Sequence, residues 1–287
     1  MVRILITGSA GFLGKNLFSY LKSKHTLYGI SRRLSETTTH QVDLTSPNIE
    51  NVIDIINPEI IIHTAALTSV DYCENYPEEA HKFNVLATEK IVNWCKKNNK
   101  KIIYISTDYV YPGTSNHYNE NSETGSINIY GKTKLEAELL IQSLTNWCIL
   151  RPTVIFGYDL GGNNFLMQIL SLTEKRKIPF DQISNPTDVK VLCEYIGRII
   201  DSNISGLYVA TGIDQLNRYD FALLITKIFG LDKNLLEKTS TSSLNQSAKR
   251  PLNNGTDSSR LRDILKYKCP TIEESLITIR SQLSKAH

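Results

Sequence analysis

Much of what marks other protein classes is missing from this sequence. Its five cysteines, Cys73, Cys95, Cys148, Cys193 and Cys269, show no Cys-x-x-Cys spacing and do not cluster with histidine. That argues against a zinc site or a disulfide framework, and an odd, unpatterned set of thiols suits a reducing cytosol. The net charge is only +3 over 287 residues. No dense Lys/Arg run breaks the balance, since Lys96-Lys97 with Lys100-Lys101 reads as the solvated end of a helix; no nucleic-acid partner is expected. No apolar stretch approaches the roughly 20 residues of a membrane span, so no membrane partner is expected. Val2 enters a strand at once, which leaves no room for a signal peptide, and a cytoplasmic location is the expectation. Internal repeats and low-complexity segments are also lacking.

What is present is an alternation of strand and helix signals. Strands are expected at Val2 to Thr7, His25 to Ile30, Glu59 to His63, Lys101 to Ser106 and Trp147 to Arg151. Helices are expected at Gly14 to Lys24, Pro47 to Ile56, Pro77 to Asn98 and Lys132 to Ser143. The run Ile60-Ile61-Ile62 is apolar at every position, as a parallel strand covered on both faces should be. The series predicts an α/β fold with a doubly wound parallel sheet of the Rossmann type. Beyond Pro152 the rhythm loosens. Helices are expected at Asn164 to Thr173, Val189 to Asp201, Tyr219 to Phe229 and Ile272 to Ser284. Short strands are expected near Ile178 and at Leu207-Tyr208-Val209, and Ser240 to Asn245 is a polar loop. The expected division is a dinucleotide-binding domain over 1–155 and a smaller mixed α/β substrate lobe over 156–287, with some chain crossing back.

The first strand runs into Thr7-Gly8-Ser9-Ala10-Gly11-Phe12-Leu13-Gly14. A dinucleotide pyrophosphate needs backbone N–H groups, a positive helix end and no side chain in the way, and glycines at such a turn provide these. The spacing is Gly-x-x-Gly-x-x-Gly rather than the commoner Gly-x-Gly-x-x-Gly. The end of the second strand chooses between cofactors. Where an NAD site places an acidic residue for the ribose 2′-hydroxyl, this chain has Ser31-Arg32-Arg33, and guanidiniums suit a 2′-phosphate. NADP(H) is the expected cofactor, with NAD(H) as the alternative. Asp43 and Leu44, after the strand-like step Gln41-Val42, are placed to meet the adenine.

Tyr130 and Lys134 are four residues apart at the start of helix-type sequence, so they share a face with a rise of about 6 Å. A lysine ammonium there can lower a tyrosine's pKa, and a tyrosine so tuned can exchange a proton with a substrate hydroxyl or ketone. Thr107, at the carboxyl end of the fourth strand, lies where open α/β sheets bind ligands.

Together these features resemble the extended short-chain dehydrogenase/reductases, and within them the dTDP-4-dehydrorhamnose reductases, over nearly the full length. The resemblance is carried by Ala65-Ala66-Leu67-Thr68-Ser69-Val70-Asp71 with Cys73-Glu74, Pro77 and Asn84, and by Ser106-Thr107-Asp108-Tyr109-Val110-Tyr111. Further on it is carried by Gly162-Asn163-Asn164-Phe165, Asp181-Gln182 with Pro186-Thr187, Lys249-Arg250-Pro251, and Asp257 with Leu261. It implies a catalytic set of Thr107, Tyr130 and Lys134. It implies cofactor contacts from Gly8, Gly11, Phe12, Leu13, Gly14, Ser31, Arg32, Arg33, Asp43, Leu44, Ala65, Ala66, Thr68 and Lys134. Substrate contacts would come from Thr68, Val70, Asp108, Tyr109, Asn164 and Arg250.

The activity implied is NADPH-dependent reduction of the C4 ketone of a nucleotide-activated 4-keto-6-deoxyhexose, in deoxysugar and polysaccharide synthesis. A homodimer is usual on this scaffold. Val154 stands where that family carries a tryptophan beside the sugar, which leaves the sugar and its nucleotide open. The family's magnesium-linked carboxylates have no clear match, so no metal is expected. Two other functions share the scaffold, a sugar-nucleotide epimerase or dehydratase and a non-catalytic NADP-binding regulatory subunit. A dehydratase needs Asp-Glu beside the threonine, whereas Asp108 is followed here by Tyr109.

Overall fold

The computed structural model of the protein describes residues 1–284. In the first half the elements are β1 Arg3–Thr7, α1 Phe12–Leu21, β2 Thr26–Ser31, β3 His40–Gln41, α2 Ile49–Ile56, β4 Ile60–His63 and α3 Val70–Asn75. Then come α4 Pro77–His81, a π turn Lys82–Leu86, α5 Ala87–Asn98, β5 Lys101–Ile105, β6 Thr114–Tyr118, α6 Ile129–Gln142 and β7 Trp147–Arg151. The second half holds β8 Ile155–Phe156, α7 Phe165–Leu170, β9 Arg176–Pro179, β10 Ile183–Ser184, β11 Thr187–Asp188 and α8 Val189–Asp201. It continues with β12 Gly206–Val209, β13 Leu216–Asn217, α9 Arg218–Phe229, β14 Leu236–Thr239, β15 Asn253–Thr256, α10 Ser259–Leu265 and α11 Ile272–Ser284.

Seven parallel strands form the main sheet in the order β12-β7-β5-β4-β1-β2-β3. Strand side chains alternate faces, and both faces are apolar here. Ile4, Ile6, Ile62, Ile103 and Leu150 pack with Leu17 of α1 and Leu192 and Ile196 of α8. Leu5, Ile61, Ile102 and Ile149 pack on the other face with Ile53 of α2, Ile91 of α5 and Ala137 of α6. Burial on both sides explains why these strands read as unbroken apolar runs.

Strand β12 forms one edge of the main sheet beside β7, and α8 covers one of its faces. A separate core joins Phe156, Leu166, Ile178, Phe221, Ile225 and Leu276. A four-stranded sheet, β13-β10-β15-β6, lies beside the carboxyl end of the main one and takes β6 from the first half.

Several boundaries differ from expectation for local reasons. Helix α1 begins at Phe12, because Gly11 already serves as its N-cap. Helix α6 begins at Ile129, because the Asn128 side chain accepts the Gly131 N–H at 2.9 Å. The expected helix from Pro77 to Asn98 contains the π turn at its second and third turns. Helices α3 and α10 and strands β6 and β15 lack a period legible in sequence, being short, polar and dependent on partners far away in the chain. Among the described residues no helix is long and apolar enough to cross a membrane.

Candidate active site

A cleft of about 1500 Å³ opens at the carboxyl ends of β1, β2, β4 and β5, between the main sheet and the second core. Every residue singled out in sequence as a catalytic, cofactor or substrate candidate lines this one cleft.

At one end is the glycine turn. Gly8 has φ +71°, a left-handed conformation that β-carbon sterics disfavour, and a β-carbon there would also meet the backbone of Ala65 at 2.9 Å. A β-carbon on Gly14 would meet the Gly8 carbonyl oxygen at 2.3 Å, so this glycine lets α1 sit against the turn. Gly11 caps α1 without any side-chain hydrogen bond. The first-turn N–H groups of Phe12, Leu13 and Gly14, which have no partner inside the helix, therefore face the cleft with the helix's positive end.

Ser31, Arg32 and Arg33 border the cleft beyond β2. The Arg32 guanidinium stacks over the Phe83 ring at 4.7 Å, and its carbonyl accepts from Gln41 at 2.9 Å. No ion pair within 4 Å uses either arginine among the described residues. Asp43 Oδ1 is taken by the Thr45 N–H and hydroxyl, both at 2.8 Å, which leaves Oδ2 and the Leu44 side chain toward the cleft. Ala65, Ala66 and Thr68 form the wall after β4. Asn84, presented by the π turn, holds that wall through the Leu67 N–H (2.7 Å) and ties it to Thr133 of α6 (3.0 Å).

The centre of the cleft brings Thr107, Tyr130 and Lys134 together. Thr107 ends the extension of β5 and caps a short turn, accepting the Tyr109 N–H at 3.2 Å and donating to Asp108 Oδ1 at 3.2 Å. Tyr130 sits in the first turn of α6, edge-on to Tyr109 with ring centroids 6.0 Å apart. Gly131 beside it has no room for a β-carbon, which would meet the Tyr109 carbonyl oxygen at 2.2 Å. Lys134 is fully buried, donates to the Ile105 carbonyl at 2.7 Å and lies over the Tyr104 ring at 4.1 Å.

The electrostatics differ from the simple picture of a lysine lowering a tyrosine. Burial pushes the Tyr130 phenol well above its ordinary range; the Thr107 hydroxyl pulls it partly back, while Asp108, Cys73 and Tyr109 push it further up. Lys134 is itself drawn down to about 7, mainly by burial, with Glu138 opposing. A lysine only partly charged near neutrality does not offset the desolvation of its neighbour.

Below this centre lies a network that sequence reasoning missed. Glu138, four residues after Lys134 on α6, is fully buried and receives a two-point contact from Arg151 (Nε–Oε1 2.9 Å, Nη2–Oε2 2.6 Å) and the Ser106 hydroxyl at 2.5 Å. Its i,i+4 spacing from Lys134 was the available signal. His63 is held between Thr7 (2.7 Å) and Thr88 (3.0 Å), and burial lowers it to about 3, so it packs as a neutral link.

The substrate candidates divide. Thr68, Val70 and Tyr109 border the cleft, and Val70 and Tyr109 belong to the apolar cluster of Tyr130. Asp108 reaches its floor, but its carboxylate is spent on Thr153 (2.7 Å), Asn254 (2.7 Å) and Thr107, and burial raises it to about 6 despite them. These three bonds brace the cleft floor across the chain. Asn164 is also largely committed, capping α7 and donating to the Gly157 carbonyl at 3.0 Å. Arg250 ties the C-terminal segment to Asp71 at 2.8 Å and still lines the cleft. Asp71 is held below the ordinary carboxylate range, since Ala248 and Arg250 outweigh its burial. Asp181 is tied to Thr241 (2.6 Å), and Gln182 borders the cleft. Arg218, at the start of α9, was not foreseen and also faces the cleft. Among the described residues no group of three or more His, Cys, Asp or Glu could hold a metal ion.

Sheet order, glycine turn and cleft at the carboxyl ends of the strands define a Rossmann-type α/β protein. A family model described as the RmlD substrate binding domain matches residues 2–284, and the chain belongs to that family. It is 31% identical to the dTDP-4-dehydrorhamnose reductase of Aggregatibacter actinomycetemcomitans over 98% of this chain and 99% of that one. It is 30% identical to the bovine (Bos taurus) methionine adenosyltransferase 2 subunit beta over 91% of this chain and 82% of that one. The crystal structure of dTDP-4-dehydrorhamnose reductase from Bacillus anthracis in complex with NADP superposes with a TM-score of 0.90 at 28% identity, covering 98% of this chain and 99% of that one.

Proposed function

We propose that this chain is an NADPH-dependent oxidoreductase that reduces the C4 ketone of a nucleotide-linked 4-keto-6-deoxyhexose. The observation that carries the reading is the convergence of Thr107, Tyr130 and Lys134 in the same cleft as the glycine turn. The reductases among its relatives support it, one of them in complex with NADP.

The residues present fit the dinucleotide. The cradle that β-carbons would fill at Gly8 and Gly14, and the free first-turn N–H groups of α1, suit a pyrophosphate. Arg32 and Arg33, without carboxylate partners among the described residues, suit a 2′-phosphate, and Asp43 with Leu44 suits the adenine. When bound, the cofactor supplies the hydride. Lys134 keeps N–H groups beyond the one used on Ile105 for ribose hydroxyls. The Thr107 hydroxyl turns from Asp108 to the ketone oxygen and orients it as negative charge grows there. Tyr130 donates the proton that completes the alcohol; burial keeps its phenol protonated, the form a reduction requires. The chain 156–287 supplies the substrate lobe, and the cytosol and a homodimer complete the proposal.

The test is oxidation of NADPH followed at 340 nm against a panel of nucleotide-4-keto-6-deoxysugars. Wild-type protein is expected to turn over at least one. Tyr130→Phe should keep NADPH affinity and lose about 10²- to 10⁴-fold in rate; unchanged turnover would sink the assignment. The kinship with methionine adenosyltransferase 2 subunit beta favours a second reading, an NADP-binding subunit of a partner enzyme. Absence of turnover with every ketone, together with tight NADPH binding, would favour that one.

A further inference from the structure

Arg218 is the cleft's unexplained charge. It is the first residue of α9, capped by Asn217 and anchored by its own N–H to the Gln182 carbonyl at 3.1 Å. Its guanidinium stacks on the Phe165 ring at 5.0 Å. It shares a side-chain hydrogen bond with the Tyr109 hydroxyl, and Asp108 and Arg250 are near enough to act on its charge. Asp108 does not serve as its counterion, because that carboxylate is engaged by three other donors and none of the five ion pairs within 4 Å among the described residues includes Arg218. Arg250 adds a second guanidinium, already paired with Asp71.

A half-buried guanidinium that faces the cleft with no carboxylate partner among the described residues is open to an anion that a ligand supplies. The small cavity behind Arg218 holds only about 10 Å³, room for a water and no more, so an anion must come from the main cleft. Val154, at the junction of the two cavities, keeps φ +42°, a strained conformation for a β-branched residue and of the kind that gathers at ligand sites.

We propose that Arg218 determines substrate specificity, its planar fork binding an oxyanion of the nucleotide sugar, either the diphosphate or a carboxylate on the hexose. The inference rests on the nucleotide-sugar reading above and names the chemistry that the substrate must carry. Tyr109 lies between Arg218 and Tyr130, so an anion held by the fork would place the sugar against the catalytic set.

Calorimetric titration of the NADPH-loaded protein separates the two sources without turnover. Thymidine diphosphate reports the diphosphate, and UDP-glucuronic acid compared with UDP-glucose reports the carboxylate. Arg218→Gln is expected to weaken binding at least tenfold while leaving NADPH affinity and melting temperature near those of wild type. A loss shared by all three ligands assigns the diphosphate; a loss confined to the glucuronate assigns the carboxylate. Arg218→Lys, which keeps charge without the fork, should lose about threefold and carries the test if Arg218→Gln does not fold. Variant affinities within twofold of wild type for every ligand overturn the role of Arg218 alone. A wild-type protein that binds none of them at millimolar concentration takes down the nucleotide-sugar reading as well.

Discussion

Lys134 offers a sharp separation of stability from function. Its pKa falls from 10.5 to about 7, with burial as the leading cause. The unfolded chain therefore holds a proton on this amine up to about pH 10.5, and the folded protein only up to about 7. Between those values unfolding takes up a proton, so folding stability rises with pH across that window, and below it the full penalty is present. At pH 7 the penalty comes to about 4 kcal/mol, and at pH 9 to about 2 kcal/mol. Lys134→Met removes it. The substitution also strands the Ile105 carbonyl, which loses its 2.7 Å donor, at a cost of about 1–3 kcal/mol. The cofactor-free variant should therefore be more stable than wild type by about 1–3 kcal/mol at pH 7, and the advantage should shrink by about 2 kcal/mol by pH 9. Turnover should be lost throughout. Urea denaturation followed by circular dichroism at pH 7, 8 and 9 measures the difference. A variant less stable than wild type at pH 7, or a difference flat with pH, would refute the claim that this lysine is buried at a cost.

Two further outcomes follow from the same structure. Glu138→Gln leaves the Arg151 guanidinium buried without its carboxylate and should cost about 3–5 kcal/mol in the same denaturation assay; a loss below 1 kcal/mol would show that the pair is not the strut it looks to be. Arg32→Ala with Arg33→Ala should raise the Kd for NADPH about tenfold or more and change that for NADH by less than threefold, read by quenching of protein fluorescence. Equal losses for the two cofactors would remove the 2′-phosphate from the reading.

The first half of the fold was legible because its signals are local. An apolar run such as Ile60-Ile61-Ile62 declares a strand buried on both faces, and the glycines from Gly8 to Gly14 declare a strand-to-helix turn with a cradle in it. Tyr130 and Lys134 share a helix face by spacing alone, and the catalytic, cofactor and substrate candidates line one cleft. The second half was less legible. Strands β6 and β15 are polar and pair across more than 130 residues, so neither carries a pattern that points to the other.

Residue type and spacing by themselves determined the α/β class, the glycine turn, the pair of arginines after β2 and the identity of the catalytic candidates, since each depends on neighbours within a few residues. Only the tertiary structure decided their states. Burial keeps Tyr130 protonated and draws Lys134 down to about 7; Glu138 meets Arg151 beneath them; Asp108 is tied to Thr107, Thr153 and Asn254; and Arg218 faces the cleft with no ion pair among the described residues. Desolvation and pairing are properties of what surrounds a group in space, and those surroundings come from segments that the chain brings together only when it folds.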